Sequence, residues 1–135
     1  MINIWTNGCF DILHRGHIEM FKYAKSLGDR LIVGIDSDEK VRRDKGDTRP
    51  INRVEDRAVL LESIKYIDNV FVFDSSEELE KLICMLDIDT MVVGSDWQGK
   101  RIIGEECVDK VLFFHRMGNY STTNIIKEVK KNEII

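Results

Sequence analysis

The stretch Ile2-Asn3-Ile4-Trp5-Thr6-Asn7-Gly8-Cys9-Phe10-Asp11-Ile12-Leu13-His14-Arg15-Gly16-His17 decides how the rest of the chain is to be read. It opens on a short apolar run, Ile2 to Trp5, and passes through a loop that starts at Thr6. It then enters Ile18 to Leu27, where apolar residues return with the roughly 3.6-residue period of an amphipathic helix. Strand, loop and helix in direct succession are the first half of a crossover unit. The same alternation continues downstream. Leu31 to Ile35, Val70 to Phe73, Met91 to Gly94 and Val111 to Phe114 are nearly unbroken apolar runs, as strands buried on both faces require. Val54 to Ile67, Glu77 to Leu86 and Thr122 to Lys131 carry the helical period. The order predicts an α/β fold: a doubly wound, five-stranded parallel sheet with helices on both faces, in a single domain over residues 1–135.

Boundary residues agree with these elements. Gly28 follows the first helix, Asn52 with Glu55 reads as a capping box, and Ser75 with Glu78 reads as another. The least regular stretches are Thr6 to Gly16, Asp36 to Pro50, Ser95 to Gly104 and His115 to Tyr120, each after an expected strand. Ligands of open parallel sheets bind beyond the carboxyl ends of the strands, so function is to be sought in these loops.

With 135 residues, 43% hydrophobic content and a formal charge of −4, the chain can bury a core and is a poor match for nucleic acid or anionic membranes, which attract basic surfaces. No apolar run reaches the roughly 18 residues of a membrane span, and the first residues lack signal-peptide character, so a cytoplasmic location is expected. Cys9, Cys84 and Cys107 are odd in number and widely spaced, which predicts thiols rather than a disulfide framework; Cys84 falls in a helical apolar pattern and reads as core.

The chemistry concentrates in the first loop. A helix N-terminus presents unpaired N–H groups and partial positive charge, which suit phosphate; His14 and His17 add donors, and Gly16 between them lets an anion approach the backbone. The same pair also fits part of a metal site with Cys9 or Asp11, or two surface histidines without a ligand, and spacing alone does not separate these. Neither a G-x-G-x-x-G nor a G-x-x-x-x-G-K-[ST] pattern is present.

Several separated segments, in order, resemble the cytidylyltransferase-like branch of the H-x-G-H nucleotidyltransferases. They are the first loop, Leu27 to Arg30, Lys45 to Asn52, Asp56-Arg57, Gly94 to Trp97 and Ser121 to Ile126. The resemblance covers nearly the whole chain. Residues 5–73 are most similar to domains that adenylylate heptose 1-phosphate, whereas Asp96-Trp97-Gln98-Gly99-Lys100 is more similar to glycerol-3-phosphate cytidylyltransferase.

The resemblance implies a Rossmann-like fold and transfer of a nucleoside monophosphate from a nucleoside triphosphate to a small phosphorylated sugar or polyol, with pyrophosphate released and no covalent enzyme intermediate. ATP and heptose 1-phosphate, giving ADP-heptose, are the substrates expected first, with CTP and glycerol 3-phosphate the alternative and a non-catalytic nucleotide-binding module a reading from another class. On this basis His14, His17, Lys45 and Arg116 are candidate catalytic residues. Thr6, Asn7, Gly8, Cys9, Phe10, Gly16, Gly94, Asp96, Trp97, Ser121 and Thr122 are candidate nucleotide-binding residues. Asp11, Asp38 and Arg57 are candidates for binding the acceptor, and Asp11 also for holding the first loop or the Mg²⁺ that arrives with the triphosphate.

Other roles for these residues stay open at this point. Trp97 also reads as core, Ser121 as a plain helix cap, and Arg57 as a residue that supports the site from behind or as a surface ion pair with Glu55 or Glu62. Arg42, Arg43 and Arg49 read as phosphate or salt-bridge partners. The segment Arg116-Met117-Gly118-Asn119-Tyr120 departs from the Arg-Thr-Glu-Gly typical of the cytidylyltransferases. Relatives of this kind are frequently dimers, and Val54 to Ile67 offers a surface for a homodimer.

Overall fold

The computed structural model describes residues 1–115 and 121–132. Five strands, β1 (Asn3–Gly8), β2 (Arg30–Asp36), β3 (Asn69–Phe73), β4 (Thr90–Gly94) and β5 (Lys110–Phe114), form one sheet in the order β3-β2-β1-β4-β5, and every pairing is parallel. Helices α1 (Arg15–Ser26), α2 (Asp38–Lys45), α3 (Val54–Glu62), α4 (Ser76–Met85) and α5 (Thr122–Asn132) follow β1, β2, β2, β3 and β5 respectively. Two 3₁₀ turns, Ser95–Trp97 and Glu105–Cys107, lie between β4 and β5. The expected doubly wound parallel sheet is the fold observed. Among the described residues no helix is long and apolar enough to cross a membrane.

Alternation along the strands builds one core on each face. Ile4 of β1, Leu31, Val33 and Ile35 of β2 and Val92 of β4 pack with Phe21 and Ala24 of α1 and Leu61 of α3. Their neighbours Trp5, Ile32 and Met91 point the other way, against Leu79 and Ile83 of α4. Gly34 makes room for the Trp5 ring: a Cβ there would meet Trp5 Cζ2 at 2.4 Å. Gly28 serves close approach as well, since its Cβ would stand 2.7 Å from the Ile2 carbonyl oxygen.

The sheet parts where the site will form. β1 pairs with β2 over six registered residues, Asn3 to Gly8, but with β4 only at Ile4 and Trp5. Beyond those two residues the carboxyl ends of β1 and β4 diverge and leave a crevice at the point where the strand order reverses.

Several expected boundaries move. β1 runs on through Thr6-Asn7-Gly8, which reads as loop in sequence. The Asp36 to Pro50 stretch contains α2, capped by Ser37, whose hydroxyl accepts from Lys40 N at 3.1 Å, and ended by Gly46 at φ 98°. α3 stops at Glu62, and the apolar period continues to Ile67 through successive tight turns, Ile64 N to Leu61 O and Ile67 N to Ile64 O, both 3.1 Å. Asn52 does not cap α3: its N-terminal amide, Val54 N, is taken by Asp38 Oδ1 at 2.9 Å. Ser75 caps α4, but Glu78 accepts from Asp74 N, one residue before the position of a capping box.

The cysteine expectation is also corrected. Cys84 is exposed near the end of α4 and is disulfide-bonded to Cys107, with Cα atoms 5.1 Å apart, because the turn carrying Cys107 folds back beside that helix. Cys9 is the free thiol and is buried. A thiol titration without reductant should therefore count close to none in the native chain, one after denaturation and three after denaturation with reduction; three reactive thiols before reduction would contradict the pairing.

Candidate active site

The first loop owes its shape to a network beneath it. Arg57, fully buried in α3, donates from Nη1 to the carbonyl oxygens of Cys9 (3.0 Å) and Asp36 (2.8 Å). It also donates from Nε to Asn52 O (3.0 Å) and from Nη2 to Asp38 Oδ1 (2.7 Å). One guanidinium thus ties the carboxyl ends of β1 and β2 to the turn before α3. Asp11, its side chain also fully buried, works beside it. Its carboxylate accepts from Ile51 N, Asn52 N and Arg49 Nε at 2.8–3.0 Å. Asn52 Nδ2 returns a bond to Asp11 O at 2.7 Å, and the Arg49–Pro50 peptide in this turn is cis. Phe10, held between these anchors at φ 50°, a conformation rare for a residue with a Cβ, turns its ring edge-on to His17 and Phe21.

Asp11 thus holds the first loop and Arg57 supports it from behind, while the ligand-contacting roles expected for Arg57, Asp38 and Asp11 are not found. Arg57 touches neither substrate space nor Glu55 or Glu62; its donors are spent on backbone and on Asp38. Asp38 faces the start of α3 and Arg57 rather than an acceptor. Asp11 does not fit an Mg²⁺ ligand, since both its oxygens already accept hydrogen bonds from the Arg49–Asn52 turn. Burial pushes the Cys9 thiol pKa up, only partly offset by Lys45 and Arg57.

Above this floor lies a cavity of about 260 Å³ at the crevice between β1 and β4. Gly8, Cys9, Phe10 and Asp11 line it from the first loop, His14, Gly16 and His17 from the start of α1, Lys45 from the end of α2, Gly94 from β4, and Ser121 and Thr122 from the start of α5. Residues more than a hundred positions apart therefore meet around one space. The two imidazoles stack with centroids 3.8 Å apart, and His17 Nδ1 accepts the His14 amide proton at 3.2 Å, which leaves Nε2 as the N–H donor of the neutral His17 ring. Thr122 Oγ1 donates to Ile12 O at 2.8 Å and pins α5 to the first loop, while Ser121 Oγ caps α5 by accepting from Asn124 N. Gly94 is open, with nothing within 4 Å of an added Cβ.

Met20, Phe114 and Thr123 line the same cavity and carry no signal in sequence, whereas Arg49, which reads as a phosphate or salt-bridge partner, lines it too and pairs with Asp11. Arg49 belongs to a basic run. In that run Arg42 pairs with Glu39 at 3.6 Å and Arg43 with Asp74, so neither is assigned to phosphate. Arg116 lies outside the described residues.

A second cavity, about 430 Å³, adjoins the first and shares Gly8, Cys9, Lys45 and Gly94 with it. Asn7 and Trp97 open on this cavity rather than the first, and Asn7 Oδ1 already accepts from Trp5 Nε1 at 2.9 Å. Trp97 is 52% exposed, which rules out the core alternative. Thr6 is buried within β1 and lines neither cavity, and neither does Asp96, in the 3₁₀ turn after β4.

A parallel sheet whose switch point carries an H-x-G-H helix start, a lysine and a hydroxyl-bearing second helix start defines a nucleotidyltransferase-type site. The chain belongs to the cytidylyltransferase-like family, whose model matches residues 5–128. It is 45% identical over 127 residues to the bifunctional protein HldE of Campylobacter fetus subsp. fetus, a match covering 94% of this chain and 28% of that protein. It is 44% identical over 128 residues to HldE of Helicobacter pylori strain P12, covering 95% of this chain and 28% of the relative. The chain thus spans just over a quarter of the length of these curated relatives. Among solved structures it resembles the lipopolysaccharide core biosynthesis protein from Thermoplasma volcanium GSS1, with TM-score 0.67, 26% identity, and 90% of this chain and 99% of that one covered.

The geometry makes Arg57 a stability residue. Replacing Arg57 with Leu leaves Asp38 unpaired and three carbonyl oxygens without their donor, and should cost about 3–5 kcal/mol in a urea titration. An unchanged midpoint with a raised acceptor KM would return Arg57 to substrate binding.

Proposed function

We propose that this chain transfers the adenylyl group of ATP to heptose 1-phosphate, giving ADP-heptose and pyrophosphate. The observation that carries it is the meeting of His14, His17, Lys45, Ser121 and Thr122 around one cavity at the switch point. The 40–46% identity to HldE proteins over most of the chain supports the same reading.

In this mechanism a phosphate oxygen of the acceptor attacks the α-phosphorus in line, the bond to the β-phosphate oxygen breaks, and pyrophosphate leaves. The acceptor phosphate is already anionic near neutral pH, so no general base is required. What the chain supplies is positioning and charge stabilisation. The amides at the start of α1 and the His17 Nε2–H face the phosphates, and Lys45, which makes no ion pair among the described residues, meets the growing negative charge from the end of α2. Thr122 holds the start of α5 against the first loop. Mg²⁺ arriving with the triphosphate would neutralise phosphate charge there, and Asp11, whose carboxylate is taken up by the Arg49–Asn52 turn, would not hold it.

Glycerol 3-phosphate with CTP is the second reading, favoured by Asp96 to Lys100. That segment reaches the second cavity through Trp97, so it bears on the acceptor more than on the base. Pyrophosphate release from ATP and from CTP, each with Mg²⁺ and each offered heptose 1-phosphate or glycerol 3-phosphate, separates the two. Turnover is expected with ATP and heptose 1-phosphate, and His17→Ala should lower kcat about 10²- to 10³-fold. Turnover only with CTP and glycerol 3-phosphate would replace the first reading by the second, while nucleotide binding with no turnover in any combination would leave a non-catalytic module.

Two copies are further proposed to pair through α3, where Val59 (61%) and Leu60 (47%) stand exposed on one surface. Light scattering should give twice the chain mass, falling to one chain in Val59→Glu; a monomer at all concentrations would sink the pairing.

A further inference from the structure

The second cavity has a different chemistry from the first, and the difference assigns the two halves of the acceptor. In the first, Lys45 and Arg49 face a single carboxylate, Asp11, which is consumed by the turn before α3. In the second, two carboxylates, Asp36 and Asp44, face two ammonium groups, Lys40 and Lys45. A phosphate gains little from a site that is already neutral, whereas a polyhydroxyl group gains from acceptors and donors set side by side.

Asp36 stands out within that set. It ends β2, its side chain is 15% exposed, and its ionic partner among the described residues, Lys40, stands at 3.5 Å. Lys40 is held closer by Asp44, at 2.7 Å, and lies over the Phe73 ring, 5.7 Å from its centroid. The Asp36 carboxylate lines the cavity with hydrogen-bonding capacity that Lys40 does not use up, and burial raises its pKa in spite of Lys40. The exposed Trp97 indole lines the same cavity and supplies an apolar ring for the C–H face of a sugar or polyol.

We infer that Asp36 is a specificity-determining residue that receives hydroxyl groups of the acceptor, with the acceptor's carbon chain against Trp97 and its phosphate at Lys45, where the two cavities meet. This rests on the nucleotidyl-transfer reading above and extends it to the acceptor's uncharged part. Hydrogen bonds to a charged group contribute about 1.5–3 kcal/mol each, equivalent to roughly 10- to 100-fold in affinity.

Calorimetric titration of the full chain with α,β-methylene ATP bound, using heptose 1-phosphate, glycerol 3-phosphate and inorganic phosphate as probes, tests it without turnover. At least one of the two organic phosphates should bind about tenfold or more tightly than inorganic phosphate. Asp36→Asn should remove most of that preference while the affinity for α,β-methylene ATP stays the same, and Trp97→Ala should reduce the preference by the same readout. A wild-type chain that binds all three probes alike, an Asp36→Asn variant that keeps the full preference, or one that loses nucleotide and acceptor affinity together would each overturn the assignment. Preference without turnover would instead count against the proposed reaction alone, so the two failures are distinguishable.

Discussion

The site depends on one buried cation. Arg57 reaches the carbonyl oxygens of Cys9 and Asp36, the ends of two neighbouring strands, and the turn before α3, and it is neutralised by Asp38. A buried charge is tolerable only when its hydrogen-bonding capacity is used, and the planar fork of a guanidinium can serve several carbonyl oxygens at once where an ammonium presents a single point of charge. The same interaction that makes Arg57 acceptable inside the protein also fixes where β1 and β2 end relative to α3. Asp11 repeats the logic with opposite sign, gathering two backbone amides and Arg49. Together they set the loop between β1 and α1, and with it His14 and His17.

On that floor the crevice follows from strand pairing. β1 and β4 share two registered residues and then diverge, so the carboxyl end of β1 is free to present Gly8 and Cys9 to two cavities. The acidic chain, −4 overall, concentrates Lys45, Arg49, the histidines and the starts of α1 and α5 around the first cavity, the local positive charge that the proposed nucleotide requires. The second cavity, with its charges balanced, is left for uncharged hydroxyl-bearing groups. Lys45 belongs to both, which places it where a phosphate joining the two substrates would sit.

Much of this was legible in the chain. Apolar runs of five or so residues alternating with helical periods determine a parallel sheet with helices on both faces, because each run can be buried only on two sides and each helix on one. His14, Gly16 and His17 were legible as well, since the chemistry of a helix start is local. Helix α2 was not: Asp38 to Lys45 holds a single buried apolar residue, Val41, so no period shows, and the signals that remained were a Ser37 cap, acids in the first turn, bases in the last and Gly46 beyond.

What only the tertiary structure decided is which charged residues face a ligand and which face each other. Asp38 reads as facing a substrate in sequence and is part of the scaffold; Asp11 and Arg57 read both as ligand contacts and as supports, and packing makes them supports; Asp36 and Lys40 carry no signal in sequence and line a cavity. Cys84 and Cys107 read as separate thiols and are joined. A charge has no periodicity, and its role is set by the partners that distant segments bring within about 3 Å, a distance at which hydrogen bonding outweighs anything spacing along the chain can convey. The sequence by itself determined the layers and the location of the phosphate-facing loop; the packing of α3 under that loop decided which residues hold it and which remain free to bind.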